Sequence, residues 1–263
     1  MDRSQSACHW LTNRRCGWQE RRPQTPYAQA IDSPSGILEW TAQDMKQLAP
    51  DLWQTSRRQL LDGVYSHAYL LAQPQGNLLI YSLGEDQQDD LDAIEQLGGV
   101  AMQVLSHRDE TGPALCQIRD RFSSRLAYHE ADAHAISDVA EADLFLDPAG
   151  TDPLLEEIEV LHTPGHTPGS VSLRYESPHG KSYLFTGDTI VPNSGGWATG
   201  VYPEIEGDAP SLVESLTHLR DQAADLIISS AYGGESGVVE ITPDEWRDAV
   251  DQRITSLRKR FDV

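Results

Sequence analysis

The chain has 263 residues, of which 39% are hydrophobic and 23% are charged, and this suits a soluble globular protein with a sizeable core. Its formal net charge at pH 7 is −21, because 41 acidic residues face only 20 lysines and arginines. A negative field of this size repels polyanions, so we exclude nucleic acid as a partner. No apolar run approaches the roughly 18 residues of a membrane-spanning helix, so we exclude the membrane as a partner too.

The acidic surface has two explanations, and the sequence does not choose between them. Only three of the basic residues are lysines, namely Lys46, Lys181 and Lys259. An acid-rich, lysine-poor surface suits a high-salt cell, and a genome of high GC content produces a similar bias. The sequence also leaves the oligomeric state open.

The three cysteines, Cys8, Cys16 and Cys116, are odd in number and lack the spacing of metal ligands. We therefore expect reduced thiols. The chain contains no apolar core of a signal peptide. Together these features predict a cytoplasmic protein.

Residues 1–36 are polar, arginine-rich and broken by prolines, without any hydrophobic periodicity. We interpret them as a mobile N-terminal extension that precedes one domain over 37–263. A transit peptide would share this composition, but Trp10, Trp18 and two cysteines are unusual for one.

The first half of that domain opens with short β-prone runs at 51–55, 64–71 and 77–82, separated by turn residues as in a β-meander. A helix follows at 85–97, where Leu91, Ile94 and Leu97 share one face. Residues 100–106 then read as an apolar strand and 112–122 as a second helix.

The second half repeats the order of strands followed by helices. Helical spacing of apolar residues begins behind Asp208 and runs over 209–224, and 226–230 is a buried strand. The last helix opens with a capping box at Thr242 and ends in Arg258-Lys259-Arg260. The β-then-α order of each half predicts an α/β (α+β) fold, a four-layer αββα sandwich of two mixed sheets flanked by helices.

The strongest motif is the tandem Thr-Pro-Gly of residues 162–170, HTPGHTPGS, which fixes the backbone on both sides of His166. About twenty residues later, FTGDT places Asp188 at the end of a strand. An imidazole and a carboxylate held on rigid loops predict a metal site.

These two segments resemble the metallo-β-lactamase-fold superfamily, the glyoxalase II-like metallo-hydrolases, whose members carry TPGHTPGS and a later F-x-GD. The resemblance implies the αββα fold over roughly residues 37–255. It also implies that His166 binds the first metal and that Asp188 bridges two metals. Fewer than about 35 residues follow Tyr232, which argues against glyoxalase II itself with its C-terminal helical domain.

The superfamily's H-x-H-x-D-H motif is degenerate here. In Leu105-Ser106-His107-Arg108-Asp109-Glu110 the alignment that keeps the following glycine puts Leu105 on the first histidine and His107 on the second. Asp109 matches the family aspartate, and Glu110 replaces the last histidine. We therefore propose His107, Asp109, Glu110, His166 and Asp188 as metal ligands.

The family's final histidine ligand corresponds best to Tyr232. Tyrosine ligates iron in some proteins, but as a phenol with a pKa near 10 it more often only hydrogen-bonds. Both roles stay open at this stage. His67 and Trp197 could contact a substrate at the site rim, and His129 could orient a ligand, although packing or structural roles would also explain all three.

Ligand counting gives three functional hypotheses. His107, His166 and Asp188 suffice for a catalytic zinc with an open position, which predicts a hydrolase of a small ester, thioester or amide. Asp109 then orients the nucleophile or accepts its proton. Two histidines and one carboxylate also form the iron triad of a persulfide-dioxygenase-like enzyme. The third hypothesis is a non-catalytic binding protein on a decayed site. We expect one or two divalent ions, zinc first, with iron or manganese as alternatives.

Overall fold

The computed structural model describes residues 45–263. The predicted extension over 1–36 lies outside the described residues, so it stays a prediction, as does the start of the domain at 37. The helices, in chain order, are α1 (Gln88–Gln96), α2 (Ala114–Phe122), α3 (Ala133–Ile136), α4 (Ala209–Leu219) and α5 (Pro243–Phe261). The strands are β1 (Lys46–Ala49), β2 (Leu52–Gln54), β3 (Arg58–Leu61), β4 (Val64–Ser66), β5 (Tyr69–Leu71), β6 (Leu78–Ile80), β7 (Met102–Val104), β8 (Arg125–Tyr128), β9 (Leu144–Phe145), β10 (Ile158–His162), β11 (Val171–Glu176), β12 (Ser182–Gly187), β13 (Val191–Asn193), β14 (Gly196–Ala198), β15 (Leu226–Ser229), β16 (Ala231–Gly233) and β17 (Val238–Glu240).

Two large mixed sheets form the centre of the fold. The first has the strand order β1-β2-β5-β6-β7-β8-β9, and the second has the order β10-β11-β12-β15-β17. The first sheet is antiparallel up to β6 and parallel from β6 to β9. The second is antiparallel except where β12 runs parallel to β15.

Apolar packing arranges these sheets into four layers. One core cluster joins inward-facing residues of both sheets, for example Ile80 and Val104 of the first with Phe185 of the second. Their outer faces are covered by helices, because Leu79 packs with residues of α1 and α2, and Leu184 packs with residues of α4 and α5. The predicted αββα sandwich is therefore confirmed.

The helix ends follow their sequence signals. The Asp208 side chain accepts a hydrogen bond from the amide of Ser211 at the start of α4, and Thr242 and Glu245 form the predicted capping box of α5. The first and fourth helices are shorter than predicted, since α1 begins only at Gln88 and α4 ends at Leu219. No helix within residues 45–263 is long and apolar enough to cross a membrane.

The strand predicted over 64–71 is interrupted in the structure. Its first part, β4, pairs with β3 and β16 in a separate small sheet, whereas its second part, β5, joins the large sheet between β2 and β6. His67 lies at the break, where the chain passes from one sheet to the other. The predicted meander consequently consists of β2, β5 and β6. Strands β3 and β4 form a hairpin that leaves this sheet and pairs with β16.

Cys116 forms a disulfide bond in the structure. The expectation of reduced thiols is therefore wrong for this residue. Cys8 and Cys16 lie outside the described residues.

Candidate metal centre

Three of the proposed ligands come together at one edge of the two sheets. His107 follows β7, His166 lies in the loop between β10 and β11, and Asp188 follows β12. One ligand atom from each of these residues lies within 4.8 Å of the others. The cluster thus draws on both sheets, and it lies where strands of the sandwich end.

The loop that carries His166 is held by close packing. Gly165 has φ +131°, and a Cβ there would lie 2.4 Å from the backbone of Leu212 in α4, so a glycine is required. The Nδ1–H of His166 donates to the carbonyl of Gly200 at 3.2 Å, which leaves the lone pair on Nε2. That Nε2 is buried and has no hydrogen-bond partner, as expected for an atom that binds a metal.

His107 is oriented in the same way by different groups. Its Nδ1 lies 2.9 Å from the hydroxyl of Ser106 and 3.2 Å from a carboxylate oxygen of Glu110, while Nε2 lies 3.5 Å from Asp188. Although burial alone would lower the pKa of His107, the carboxylates of Asp188 and Glu110 hold it well above its usual value. Without a metal, this imidazole is therefore protonated and neutralises its two acidic neighbours.

Asp188 divides its two oxygens between the protein and the cluster. Oδ1 accepts hydrogen bonds from the hydroxyl of Ser230 and from the amide of Ala231, and Oδ2 faces the two imidazoles. Burial would raise the pKa of Asp188, but the charge and the hydrogen bond of His107 hold it well below its usual value. Asp188 is thus an ionised carboxylate with one oxygen directed into the cluster.

Asp109 lies beside the cluster and is more open to solvent. Its Oδ2 lies 3.4 Å from Nε2 of His166, and its side chain is 44% exposed. The imidazole of His166 holds the pKa of Asp109 below its usual value. A carboxylate in this position can accept a proton from a water at the site and pass it to solvent.

Glu110 does not join the ligand atoms, contrary to the sequence-based proposal. It is buried, and its carboxylate accepts hydrogen bonds from the amide and the hydroxyl of Ser106 while it contacts His107 from behind. The reason is the turn of 3₁₀-helix at Arg108–Glu110, which directs Asp109 and Glu110 to different sides. Leu105 packs in an apolar cluster with Leu115 of α2, so it also lies away from the ligands.

Tyr232 is engaged with His67 rather than with the ligand cluster. The Nδ1–H of His67 donates to the carbonyl of Thr55, so its Nε2 accepts from the Tyr232 hydroxyl at 2.8 Å. The two rings are stacked, with centroids 5.4 Å apart. Burial raises the pKa of Tyr232, so this residue is a neutral phenol at physiological pH and not the phenolate that would bind a metal.

The other two candidates lie outside the cluster. His129 stacks on His162, with ring centroids 4.1 Å apart, and its Nδ1 accepts from the amide of Ala131. The ring of Trp197 contacts Trp246 of α5 and belongs to the apolar packing on the outer face of the second sheet. Neither residue faces the three ligand atoms.

Asp132 organises the site, a role that no sequence motif predicts. It is fully buried and accepts hydrogen bonds from the backbone and side chain of Arg108, from the Thr167 hydroxyl and from the amide of Gly169. Asp132 therefore connects the loop of His107 to the loop of His166. Its partners lie 24 to 37 residues away, so no local motif could have indicated it.

Two cavities meet at Asp188 and Ala231. The smaller, about 60 Å³, is also lined by His107, Asp109 and Arg58. The larger, about 280 Å³, is lined by His166 and by neutral residues of the hairpin β13–β14 and of β16, together with Tyr202. The ligand cluster therefore lies between two spaces that solvent or a substrate can enter.

The residues present fit a divalent metal. Two imidazole nitrogens and one carboxylate oxygen converge, and the buried Nε2 of His166 has no hydrogen-bond partner. Each ligand is oriented from behind by a hydrogen-bonding group, as is usual at protein metal sites. Three protein ligands with open space beside them match a catalytic zinc, and two histidines with one carboxylate also match iron.

Comparison with known proteins points to one family. Residues 105–231 match the family model of the metallo-β-lactamase superfamily, a span that includes all three ligands. None of the curated proteins matches this chain. Together with the αββα fold, the match supports membership of the metallo-β-lactamase-fold superfamily, a fold that suggests a metal-dependent hydrolase acting on a small molecule.

Solved structures of similar fold are metallo-β-lactamases at low sequence identity. A Cronobacter sakazakii enzyme, a mutant of a HARLDQ-motif metallo-β-lactamase, is 19% identical, with 83% of this chain and 95% of that chain covered and a TM-score of 0.61. The enzyme from Pontibacter korlensis is 17% identical over 82% and 98%, with a TM-score of 0.61. GOB-18 from Elizabethkingia meningoseptica is 18% identical over 89% and 97%, with a TM-score of 0.56. Such likeness establishes the fold and leaves the substrate open.

Proposed function

We propose that this protein is a metal-dependent hydrolase of a small ester, thioester or amide, with one divalent ion held by His107, His166 and Asp188. The observation that carries the proposal is the buried, unpartnered Nε2 of His166, directed at the same point as the other two ligand atoms. Zinc is the first choice, because two imidazoles and one carboxylate with open space beside them are its usual catalytic environment.

Held by His107, His166 and Asp188, a zinc ion would supply Lewis acidity, which would lower the pKa of a water to about 7. Asp109 is the residue that receives the proton of the attacking water, because its low pKa keeps it ionised and it lies 3.4 Å from the His166 ligand atom. Its exposure allows the proton to leave to solvent. Asp188 is held by Ser230 and Ala231, so it stays fixed during turnover.

Metal content tests the site directly. Protein purified without added metal or a metal-binding tag is expected to contain about one equivalent of zinc, and His166→Ala is expected to contain none. His179→Ala is the matched control, since His179 is exposed and outside the cluster. Absence of metal from the wild type, and no binding on addition, would leave a binding protein without catalysis.

Turnover tests the chemistry separately. With a panel of 4-nitrophenyl esters, thioesters and anilides, Asp109→Ala should lower kcat by about 10²–10⁴ while zinc stays bound. Unchanged turnover would remove Asp109 from the mechanism. The iron-dioxygenase alternative is favoured by one observation, the set of two histidines and one carboxylate. Iron in the purified protein with oxygen uptake on a persulfide would select it.

A further inference from the structure

Arg58 places a positive charge in the smaller cavity, beside the metal cluster. It lines that cavity together with His107, Asp109 and Asp188. The chain as a whole is strongly acidic, with a net charge of −21, so a cation at this position is unusual for the molecule. Within residues 45–263, Arg58 forms no ion pair with a carboxylate, although other arginines such as Arg108 and Arg119 do.

The small sheet fixes the distance between Arg58 and the cluster. In its register Arg58 of β3 is opposite Ser66 of β4, and Ser66 is opposite Ala231 of β16. The amide of Ala231 donates to Asp188 at 3.2 Å. Neighbouring strands lie about 4.8 Å apart, so the Arg58 backbone is about 10 Å from Ala231, and both residues line the smaller cavity.

The surroundings of Arg58 suit an anion. Its Cδ and Nε pass over Gly84, where a Cβ would lie only 3.0 Å away, so the glycine leaves room for the side chain. Ser66 and Ser82 also line the cavity, and their hydroxyls make no hydrogen bond within the described residues. A guanidinium with two free hydroxyls can bind a carboxylate through charge-assisted hydrogen bonds.

The charges of the cavity agree with this assignment. Asp109 and Asp188 face the metal cluster, where a bound divalent cation would offset their charges, and Glu110 contacts Nδ1 of His107. Arg58 forms no ion pair with any residue that lines the cavity, and the nearby carboxylate of Asp86, also beside Gly84, is exposed and not within ion-pair distance. A bound anion would supply an ion-pair partner for Arg58 in a half-open cavity, where the interaction is stronger than in bulk water.

We infer that Arg58, with Ser66 and Ser82, forms a subsite for a carboxylate of the substrate, so that the enzyme acts on acyl compounds that carry a second, anionic group. The small volume of the cavity, about 60 Å³, suits one polar group, and the body of the substrate fits the 280 Å³ cavity on the other side of Asp188. This inference rests on the proposed hydrolase function, which it narrows to anionic substrates.

The test uses two esters of equal chain length, the mono-4-nitrophenyl ester of glutaric acid and 4-nitrophenyl pentanoate. We expect the zinc-loaded wild type to prefer the anionic ester in kcat/KM. In Arg58→Gln this preference should fall about tenfold or more, mainly through KM, because a hydrogen bond to a charged group contributes about 1.5–3 kcal/mol. An unchanged preference would overturn the subsite.

Arg57→Gln is the matched control, because it removes the same charge one residue away. The guanidinium of Arg57 lies over the ring of Tyr65, 4.4 Å from its centroid, and Arg57 does not line the smaller cavity. The preference of Arg57→Gln for the anionic ester should equal that of the wild type. If both variants lost the preference equally, the overall electrostatic field of the protein would explain it, and the subsite would be rejected.

Binding of the glutarate dianion, measured by calorimetry on zinc-loaded protein, separates this inference from the proposed function. We expect binding by the wild type and by Arg57→Gln, and about tenfold weaker binding by Arg58→Gln. If no ester is hydrolysed while this difference persists, hydrolysis is rejected and the subsite stands. If glutarate does not bind, or binds equally to all three proteins, the subsite is rejected whatever the turnover.

Discussion

Glu110 and Asp188 contact opposite nitrogens of the His107 imidazole, with Glu110 3.2 Å from Nδ1 and Asp188 3.5 Å from Nε2. The two carboxylates therefore have different functions. Asp188 would bind the metal together with His107, whereas Glu110 orients the His107 ring and makes it a better ligand. A sequence alignment alone assigned both residues to the metal.

The first prediction concerns this orienting role. Glu110→Gln should keep about one equivalent of zinc but bind it about 10–100-fold more weakly, as is typical when the partner of a ligand histidine is changed. Competition with a chromophoric chelator measures the affinity. The exposed Glu214 of α4 provides the control variant Glu214→Gln, which should bind zinc like the wild type. Complete loss of zinc from Glu110→Gln would instead make Glu110 a ligand.

The second prediction concerns the degenerate motif. Leu105→His should not add a metal ligand, because Leu105 is fully buried among apolar residues that include Leu126 and Ile136. A buried imidazole there should lower the free energy of unfolding by about 2–5 kcal/mol in urea titrations. Leu105→Met preserves the volume and should cost less than about 1.5 kcal/mol. A stable Leu105→His protein holding an additional zinc would contradict the observed packing.

The features of this protein that depend on local sequence chemistry could be predicted. The tandem Pro-Gly turns marked His166, and the order of strands and helices indicated the αββα sandwich. The sequence could not give the direction of a side chain: Glu110 and Asp109 are neighbours in a turn and diverge. It also could not foresee Asp132, whose hydrogen bonds join loops distant in the chain. The position of Arg58 near the cluster likewise depends on the pairing of β16 with β4, which the sequence does not show.

The third prediction concerns Tyr232, at the position of a family histidine. Tyr232→Phe should retain the full zinc content, because the hydroxyl is bonded to His67 and the phenol is neutral. The free energy of unfolding should fall by about 1–3 kcal/mol, since Nε2 of His67 loses its donor. Tyr65→Phe is the control, because the Tyr65 hydroxyl has no hydrogen-bond partner within residues 45–263. Loss of metal from Tyr232→Phe alone would restore Tyr232 as a ligand.

The fourth prediction concerns the stacked pair of His129 and His162. Burial, and then the neighbouring His162, lower the pKa of His129 below its usual 6.5, although Asp132, Asp147 and Glu130 act in the opposite direction. The unfolded chain therefore binds more protons than the folded one below pH 6.5, and stability is lost as the pH falls through that range. Protonation would also end the hydrogen bond that Nδ1 accepts from Ala131.

The variant His129→Gln isolates this contribution, because its amide oxygen can still accept from Ala131 and does not titrate. Urea unfolding at a series of pH values from 7.5 to 5 should show a steeper loss of stability in the wild type than in His129→Gln. If the two proteins lost stability in parallel as the pH falls, protonation of His129 would not change the free energy of unfolding, and the prediction would be wrong.

The fifth prediction concerns Gly165, which lets the His166 loop approach α4. Gly165→Ala would place a Cβ 2.4 Å from the backbone of Leu212 at a φ of +131°, so both the clash and the backbone conformation oppose the change. We expect the free energy of unfolding to fall by about 3 kcal/mol or more, and zinc affinity to fall with it because His166 shifts. Gly195→Ala, in a turn with nothing within 4 Å, should stay within about 0.5 kcal/mol of the wild type. If Gly165→Ala bound zinc normally at full stability, the His166 loop would not depend on its contact with α4.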